Sequence, residues 1–239
     1  PVNITTQTHR PKQPSLNQAY NFQEDWRTYA NTPGHGFQFV SGPHAGRLYI
    51  AGNHNAGDPQ QKNKDWNAHA FYSDDHGATF KLSANVPYAG TNESLAAQID
   101  DNSVYMTSRN QQLTPKQRII SRSVDGGETW VSSLPDANLP DPINQGSVLS
   151  WKKGERFILA HINAADTIHR DNLTLRLSKD QGKTWYFNSV IAKAPASYNR
   201  EKSSYAAYSD LVLLNNKTIG ILYEKDGYKE IVFTIQKIK

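Results

Sequence analysis

The chain has 239 residues, enough for one substantial hydrophobic core or a piece of a larger one. Its net charge of +4 is scattered, and the densest spots, Lys152-Lys153 and Lys116–Arg118, do not form the basic stripe with interleaved aromatics that a nucleic-acid surface requires. Cysteine is absent, which excludes disulfides and thiolate metal sites, and no apolar run reaches membrane-spanning length, so no transmembrane helix is expected.

In chain order, residues 1–32 read as irregular, like the tail of an earlier unit around Trp26, and the start at Pro1 without Met or leader reads as processed or truncated. Short strands follow at Gly36–Val40 and Gly46–Ala51, then a long polar loop, 53–67, rich in Asn, Gln and Asp, of the kind that borders a pocket. Further strands are expected at Ser103–Thr107, Gly146–Trp151, Glu155–His161 and Thr218–Tyr223, each bounded by Gly, Asp or Asn turns. No amphipathic helix of three or more turns is expected. Sequons at Asn3, Asn92, Asn172 and Asn216 read as chance, since a glycan at Asn92 would block the residue beside it.

One pattern recurs three times: Ser73-Asp74-Asp75-His76-Gly77-Ala78-Thr79-Phe80, Ser123-Val124-Asp125-Gly126-Gly127-Glu128-Thr129-Trp130 and Ser178-Lys179-Asp180-Gln181-Gly182-Lys183-Thr184-Trp185. The serines are 50 and 55 residues apart, and an apolar strand precedes each copy, as at Leu173, Leu175 and Leu177. The chemistry is that of a hairpin turn: Asp accepts turn N–H groups, Gly admits positive φ, and the final aromatic packs between sheets. About four short strands per ~50 residues is the arithmetic of a propeller blade. The fold class is therefore all-β, with blades at 33–85, 92–135 and 145–190 and a last incomplete one at 203–239. Three blades and parts of two others do not close a ring, so exposed strand edges imply an N-terminal part that pairs with this chain.

The repeat resembles the Asp-box of sialidases, which also occurs in other propellers and leaves activity open. More specific are Ala207-Tyr208-Ser209-Asp210-Leu211, then Ile219–Glu224 and Glu230–Phe233, together with Thr91-Asn92-Glu93-Ser94 leading to Met106-Thr107-Ser108-Arg109-Asn110. These resemble the bacterial-type sialidase family from about residue 30 to the end. The resemblance implies a six-bladed propeller with Tyr208 as nucleophile, Glu93 as the residue that activates it, and Arg109 as one of three arginines that grip the substrate carboxylate. It implies Arg170, in His169-Arg170-Asp171-Asn172-Leu173-Thr174, as another, with Arg176 as the competitor. Glu224 is implied to orient an arginine, and Gln145-Gly146-Ser147 and Gly34-His35-Gly36-Phe37 to form turns and pocket walls.

The chemistry is coherent. A carboxylate nucleophile would be repelled by the carboxylate that sialic acid carries on its anomeric carbon, whereas a neutral phenol is not, provided a neighbour takes its proton. Arginine's fork matches a planar carboxylate. The family's first arginine and its aspartate acid/base have no match here, and Asp58 and Asp65 are poor substitutes. The implied activity is exo-α-sialidase on a sialylated glycan, outside the cytoplasm (secreted, periplasmic or cell-surface), without metal or cofactor. The alternative is a non-catalytic sialic-acid-binding propeller.

Overall fold

The computed structural model describes residues 1–10, 26–56, 63–201 and 203–238. They form sixteen strands and one short helix, α1 (Thr5–Thr8), and no described helix is long and apolar enough to cross a membrane. Four antiparallel sheets follow one another as blades of a β-propeller. The first holds β1 (Trp26–Asn31), β2 (Phe37–Gln38), β3 (Leu48–Ala56), β4 (Trp66–Ser73) and β5 (Lys81–Leu82). The second is the meander β6 (Thr91–Gln98), β7 (Val104–Asn110), β8 (Gln117–Ser123) and β9 (Ser132–Pro140). The third is β10 (Gly146–Lys153), β11 (Arg156–Ala164), β12 (Leu173–Ser178) and β13 (Phe187–Ala192). The fourth has three strands, β14 (Ala206–Asn215), β15 (Thr218–Lys225) and β16 (Glu230–Lys237).

Two boundaries differ from the sequence expectation. Trp26–Asn31 is not a tail outside the first sheet: it pairs with the second half of β3, while β2 pairs with the first half, so the two together make one split strand. Trp26 drives this placement, being buried and stacked on His54 of β3 with ring centroids 3.9 Å apart. The loop expected at 53–67 is shorter, because β3 runs on to Ala56 and β4 begins at Trp66. Asp58 lies outside the described residues, and Asp65 is ion-paired with Arg27.

Packing explains the period-two pattern of the strands. Leu173, Leu175 and Leu177 of β12 meet Leu211, Ile219 and Ile221 of the fourth sheet. Their in-between neighbours Thr174 and Arg176 turn to the other face, and Leu95, Tyr105, Leu139, Val148 and Leu159 fill the space between second and third sheets. Tyr49, Ala70, Tyr72, Ala96 and Met106 do so between first and second.

The three repeats are local staples. In the second, Asp125 accepts from Ser123 Oγ at 2.6 Å, the Thr129 amide at 3.0 Å and Thr129 Oγ1 at 2.5 Å, while Ser123 Oγ accepts from the Gly127 amide at 2.9 Å. Gly127 has φ +88°, and a Cβ there would lie 2.3 Å from the Tyr49 ring of the preceding blade, so no other residue fits. Trp130 Nε1 donates to Ala84 O across the same junction at 2.9 Å. The repeat aspartates are thus structural and sit away from the site described next.

The fourth sheet buries one face only. Val212, Leu222, Ile231, Phe233 and Ile235 are all exposed on it, and Leu222 and Phe233 are cross-strand neighbours.

Candidate active site

Glu93 and Tyr208 both sit on β-bulges in the first strand of their sheets. In β6, Thr91 pairs with Asn110 and Ser94 with Ser108, so one extra residue is inserted across Asn92-Glu93. In β14, Ala206 pairs with Lys225 and Ser209 with Tyr223, so one is inserted across Ala207-Tyr208. A bulge interrupts the alternation of side chains and re-aims one of them. The local bonds follow: Asn92 Oδ1 accepts the Glu93 amide at 2.7 Å, and the Tyr208 amide donates to Glu224 Oε2 at 3.1 Å. Asn92 is itself buried, which leaves no room for a glycan at that sequon.

The two side chains meet although 115 positions apart in sequence: Tyr208 Oη donates to Glu93 Oε1 at 2.5 Å. Arg109, on β7, holds both, with Nη1 2.8 Å from Glu93 Oε2 and 3.1 Å from Tyr208 Oη. This trio is largely shielded, the Arg109 and Glu93 side chains being 15% and 16% exposed. Burial pushes the Tyr208 phenol up to about 12, and the hydrogen bond to Glu93 and its negative charge add to this, while Arg109 and Arg170 pull the other way. The phenol is therefore protonated at neutral pH, with a carboxylate already placed to receive its proton.

Arg170 comes to the same place from the β11–β12 connection. Its guanidinium carbon lies 5.6 Å from the centroid of the Tyr208 ring. Its backbone carbonyl accepts the amides of Tyr205 and Ala206, which ties it to the start of β14. Nη1 donates to Tyr228 Oη at 2.9 Å and Nη2 to Ile143 O at 3.3 Å. Arg176 lies elsewhere, on the face of β12 toward the second sheet, with Nη1 on Asn163 Oδ1 at 3.0 Å. Glu224 differs from the role implied for it: among the described residues it meets the Tyr208 amide and no arginine.

One residue that shapes the site carried no sequence signal. Tyr228, in the β15–β16 turn with φ +68°, holds Arg170 and reads from sequence as any turn residue. His35 Nδ1 bonds Asp210 Oδ1 at 2.7 Å, and Ser147 Oγ donates to the same oxygen at 2.8 Å, which ties first, third and fourth sheets together beside Tyr208. These walls line two adjoining hollows, one of about 620 Å³ that includes His35, Trp151 and Asp210, and one of about 230 Å³ that includes Gln145, Tyr208 and Glu224. Among the described residues, no group of three or more His, Asp or Glu side chains could hold a metal ion.

Comparison with known proteins adds to this picture. The model of the BNR repeat-like domain matches residues 5–221. The chain is 31% identical over 210 residues to a sialidase of Micromonospora viridifaciens, covering 83% of this chain and 29% of that protein. It is 26% identical over 178 residues to a sialidase of Bacteroides fragilis, covering 72% of this chain and 31% of the relative. The chain thus spans less than a third of either relative. Among solved structures, the Hadza microbial sialidase Hz136 superposes with a TM-score of 0.71 at 20% identity, over 90% of this chain and 39% of that one, which shows the shared propeller fold.

Proposed function

Because the chain belongs to the BNR repeat-like domain family and is a relative of the bacterial-type sialidases, we propose that it is the nucleophile-bearing, C-terminal part of an exo-α-sialidase propeller of six blades. The observation that carries this reading is the contact of Tyr208, Glu93 and Arg109, three groups from two sheets joined by bonds of 2.5, 2.8 and 3.1 Å. A core tyrosine has no need of a carboxylate and an arginine on its hydroxyl.

In this reading Arg109 and Arg170 bind the carboxylate of a terminal sialic acid. The Tyr208 oxygen forms a bond to the anomeric carbon as the glycosidic C–O bond breaks, and the phenol proton passes to Glu93. The departing aglycone oxygen takes a proton from a general acid. Water then attacks the same carbon and gives a proton to the base left by that acid, the Tyr208–carbon bond breaks, and the phenol regains its proton from Glu93. Two displacements retain the configuration. Glu224 and the bulge fix the backbone from which Tyr208 reaches the substrate.

The acid and a third arginine are assigned to an N-terminal part of the propeller. The exposed apolar face of the fourth sheet, with Leu222, Ile231 and Phe233, supports that assignment, as does the short share of each relative that the chain spans. An extracellular or surface location accords with a glycan substrate. The test is turnover by the 239-residue chain on two substrates. An activated aryl sialoside, whose leaving group needs no proton, should react slowly and in a Tyr208-dependent way. A natural sialyl-galactoside should not react, since general acid catalysis supplies ~10²–10⁴-fold. Aryl-sialoside turnover that survives Tyr208→Phe would overturn the nucleophile, and full turnover of the natural substrate would overturn the divided site.

A further inference from the structure

Glu93 stands on the second sheet and Tyr208 on the fourth, with the third between them. A 2.5 Å bond across two sheet junctions needs something that registers both sides at once. The connection from β9 to β10, residues 141–145, touches every part. Asn144 Nδ2 donates to Ala207 O at 2.8 Å, one residue before the nucleophile. Gln145 Oε1 accepts the Ser209 amide at 2.9 Å and its Nε2 donates to Ser209 O at 3.0 Å, one residue after it. A side-chain amide here pairs with a backbone amide as a neighbouring strand would, at the end of the bulge. Gln145 Nε2 also reaches Pro33 O at 3.2 Å, and Ile143 O receives Arg170 Nη2.

The other end of the connection is fastened to the second sheet. Arg118 is fully buried on β8, donates through Nε to Thr107 Oγ1 at 3.0 Å and through Nη1 to Asn144 O, and lies 3.7 Å from the buried carboxylate of Asp141. Thr107 is two residues from Arg109 on β7. Asp141 Oδ2 in turn accepts the Asn144 amide at 3.3 Å. A path therefore runs from the strand of Arg109 through Arg118 to Asn144, which holds Ala207, and on to the adjoining Gln145, which holds Ser209, so the backbone on both sides of Tyr208 is fastened.

We propose that Asn144 and Gln145 are positioning residues that set the Tyr208 hydroxyl against Glu93, an inference that rests on Tyr208 being the nucleophile. Gln145 lines the hollow beside Tyr208, but its amide oxygen and nitrogen are taken up by Ser209 and Pro33, so both residues act through the backbone they clamp. A misplacement of about 1 Å costs on the order of 10²-fold in rate, while a carboxylate held by two arginines tolerates it better. The clamp should therefore govern the rate of attack and leave the affinity for a sialic-acid-like ligand alone.

The experiment uses the full chain and its Gln145→Ala, Gln145→Glu and Asn144→Asp variants. Each is labelled with 2,3-difluorosialic acid and followed by intact mass. The Tyr208 oxygen forms a bond to C2, the C2–F bond breaks, fluoride leaves and the phenol proton goes to Glu93, so no external acid is needed. Calorimetry with a 2,3-dehydro sialic-acid analogue gives affinity, and thermal melting gives stability. All three variants should label about 10–100-fold more slowly, with affinity within about twofold of the parent. Gln145→Glu, which keeps the volume and the acceptor and loses the donor, serves if Gln145→Ala does not fold. Labelling at the parent rate in the folded variants overturns the clamp and leaves the nucleophile standing. Rate and affinity falling together also overturn it, since that marks general loss of the site. No adduct on the parent chain defeats the nucleophile reading, and the clamp with it.

Discussion

Replacing Glu93 by Gln should make Tyr208 more acidic and less reactive at once. The Tyr208 phenol stands at about 12, against an ordinary value of 10.0, and burial is the largest cause. The hydrogen bond to Glu93 and its negative charge supply the rest of the rise, opposed by Arg109 and Arg170. In Glu93→Gln the charge goes, burial stays, and the pull of the two arginines is no longer offset. The phenol should then titrate lower than in the parent, toward or below its ordinary value as the arginines act unopposed. At neutral pH it remains protonated, and a neutral amide cannot take the proton during attack, so covalent labelling should slow by ~10²–10⁴-fold. An alkaline ultraviolet difference titration, with Tyr208→Phe subtracted to isolate the one phenol, reads the first effect, and labelling kinetics read the second. A Tyr208 titration that stays put or moves up in Glu93→Gln would refute the coupling, and labelling at the parent rate would refute Glu93 as the proton acceptor.

Arg109→Lys should weaken the dehydro analogue by about tenfold or more in calorimetry, because one ammonium cannot serve Glu93, the Tyr208 hydroxyl and a carboxylate as the fork does. Asp125→Ala should lower the melting temperature by about 2–4 °C, since a staple of four acceptor bonds is lost, while labelling of the folded fraction stays at the parent rate. Acid stability follows from the same turns. Hydrogen bonds from Thr79 lead the causes that hold Asp75 at about 2, and in Asp180 the bonds from Thr184 and Ser178 outweigh burial to reach about 2. Both values are depressed, so their contribution is complete above the unfolded carboxylate range near ~4 and is lost as pH falls toward 2. Melting temperature measured from pH 5 downward should fall through that window, and a flat profile there would contradict it.

The propeller was legible because the Ser, Asp, Gly and Thr of its repeat are bonded within four residues of one another, while the closing aromatic of the second copy reaches across the junction to Ala84. Ser123, Asp125, Gly127 and Thr129 bond to one another, so the motif needs no knowledge of the rest of the chain. The site was legible in part, through resemblance: Glu93, Arg109, Arg170 and Tyr208 were all named from sequence, and all four come together. The clamp was not, because Asn144 and Gln145 bond to residues 63 and 64 positions away: Asn144 drew no reading, and Gln145 was read only as part of a turn or pocket wall. The placement of Trp26–Asn31 failed for a like reason, since its strand exists through pairing with β3 across a stretch of polar sequence. Glu224 was read as an arginine's partner, while the bulge at Tyr208 presents an amide that takes it first.

Peptide mapping of the parent chain after incubation with 2,3-difluorosialic acid tests the central claim most directly. The account predicts one sialyl adduct per chain, on Tyr208, absent from Tyr208→Phe and formed far more slowly in Glu93→Gln. No adduct on a chain that binds the dehydro analogue, or an adduct on any other residue, would contradict it.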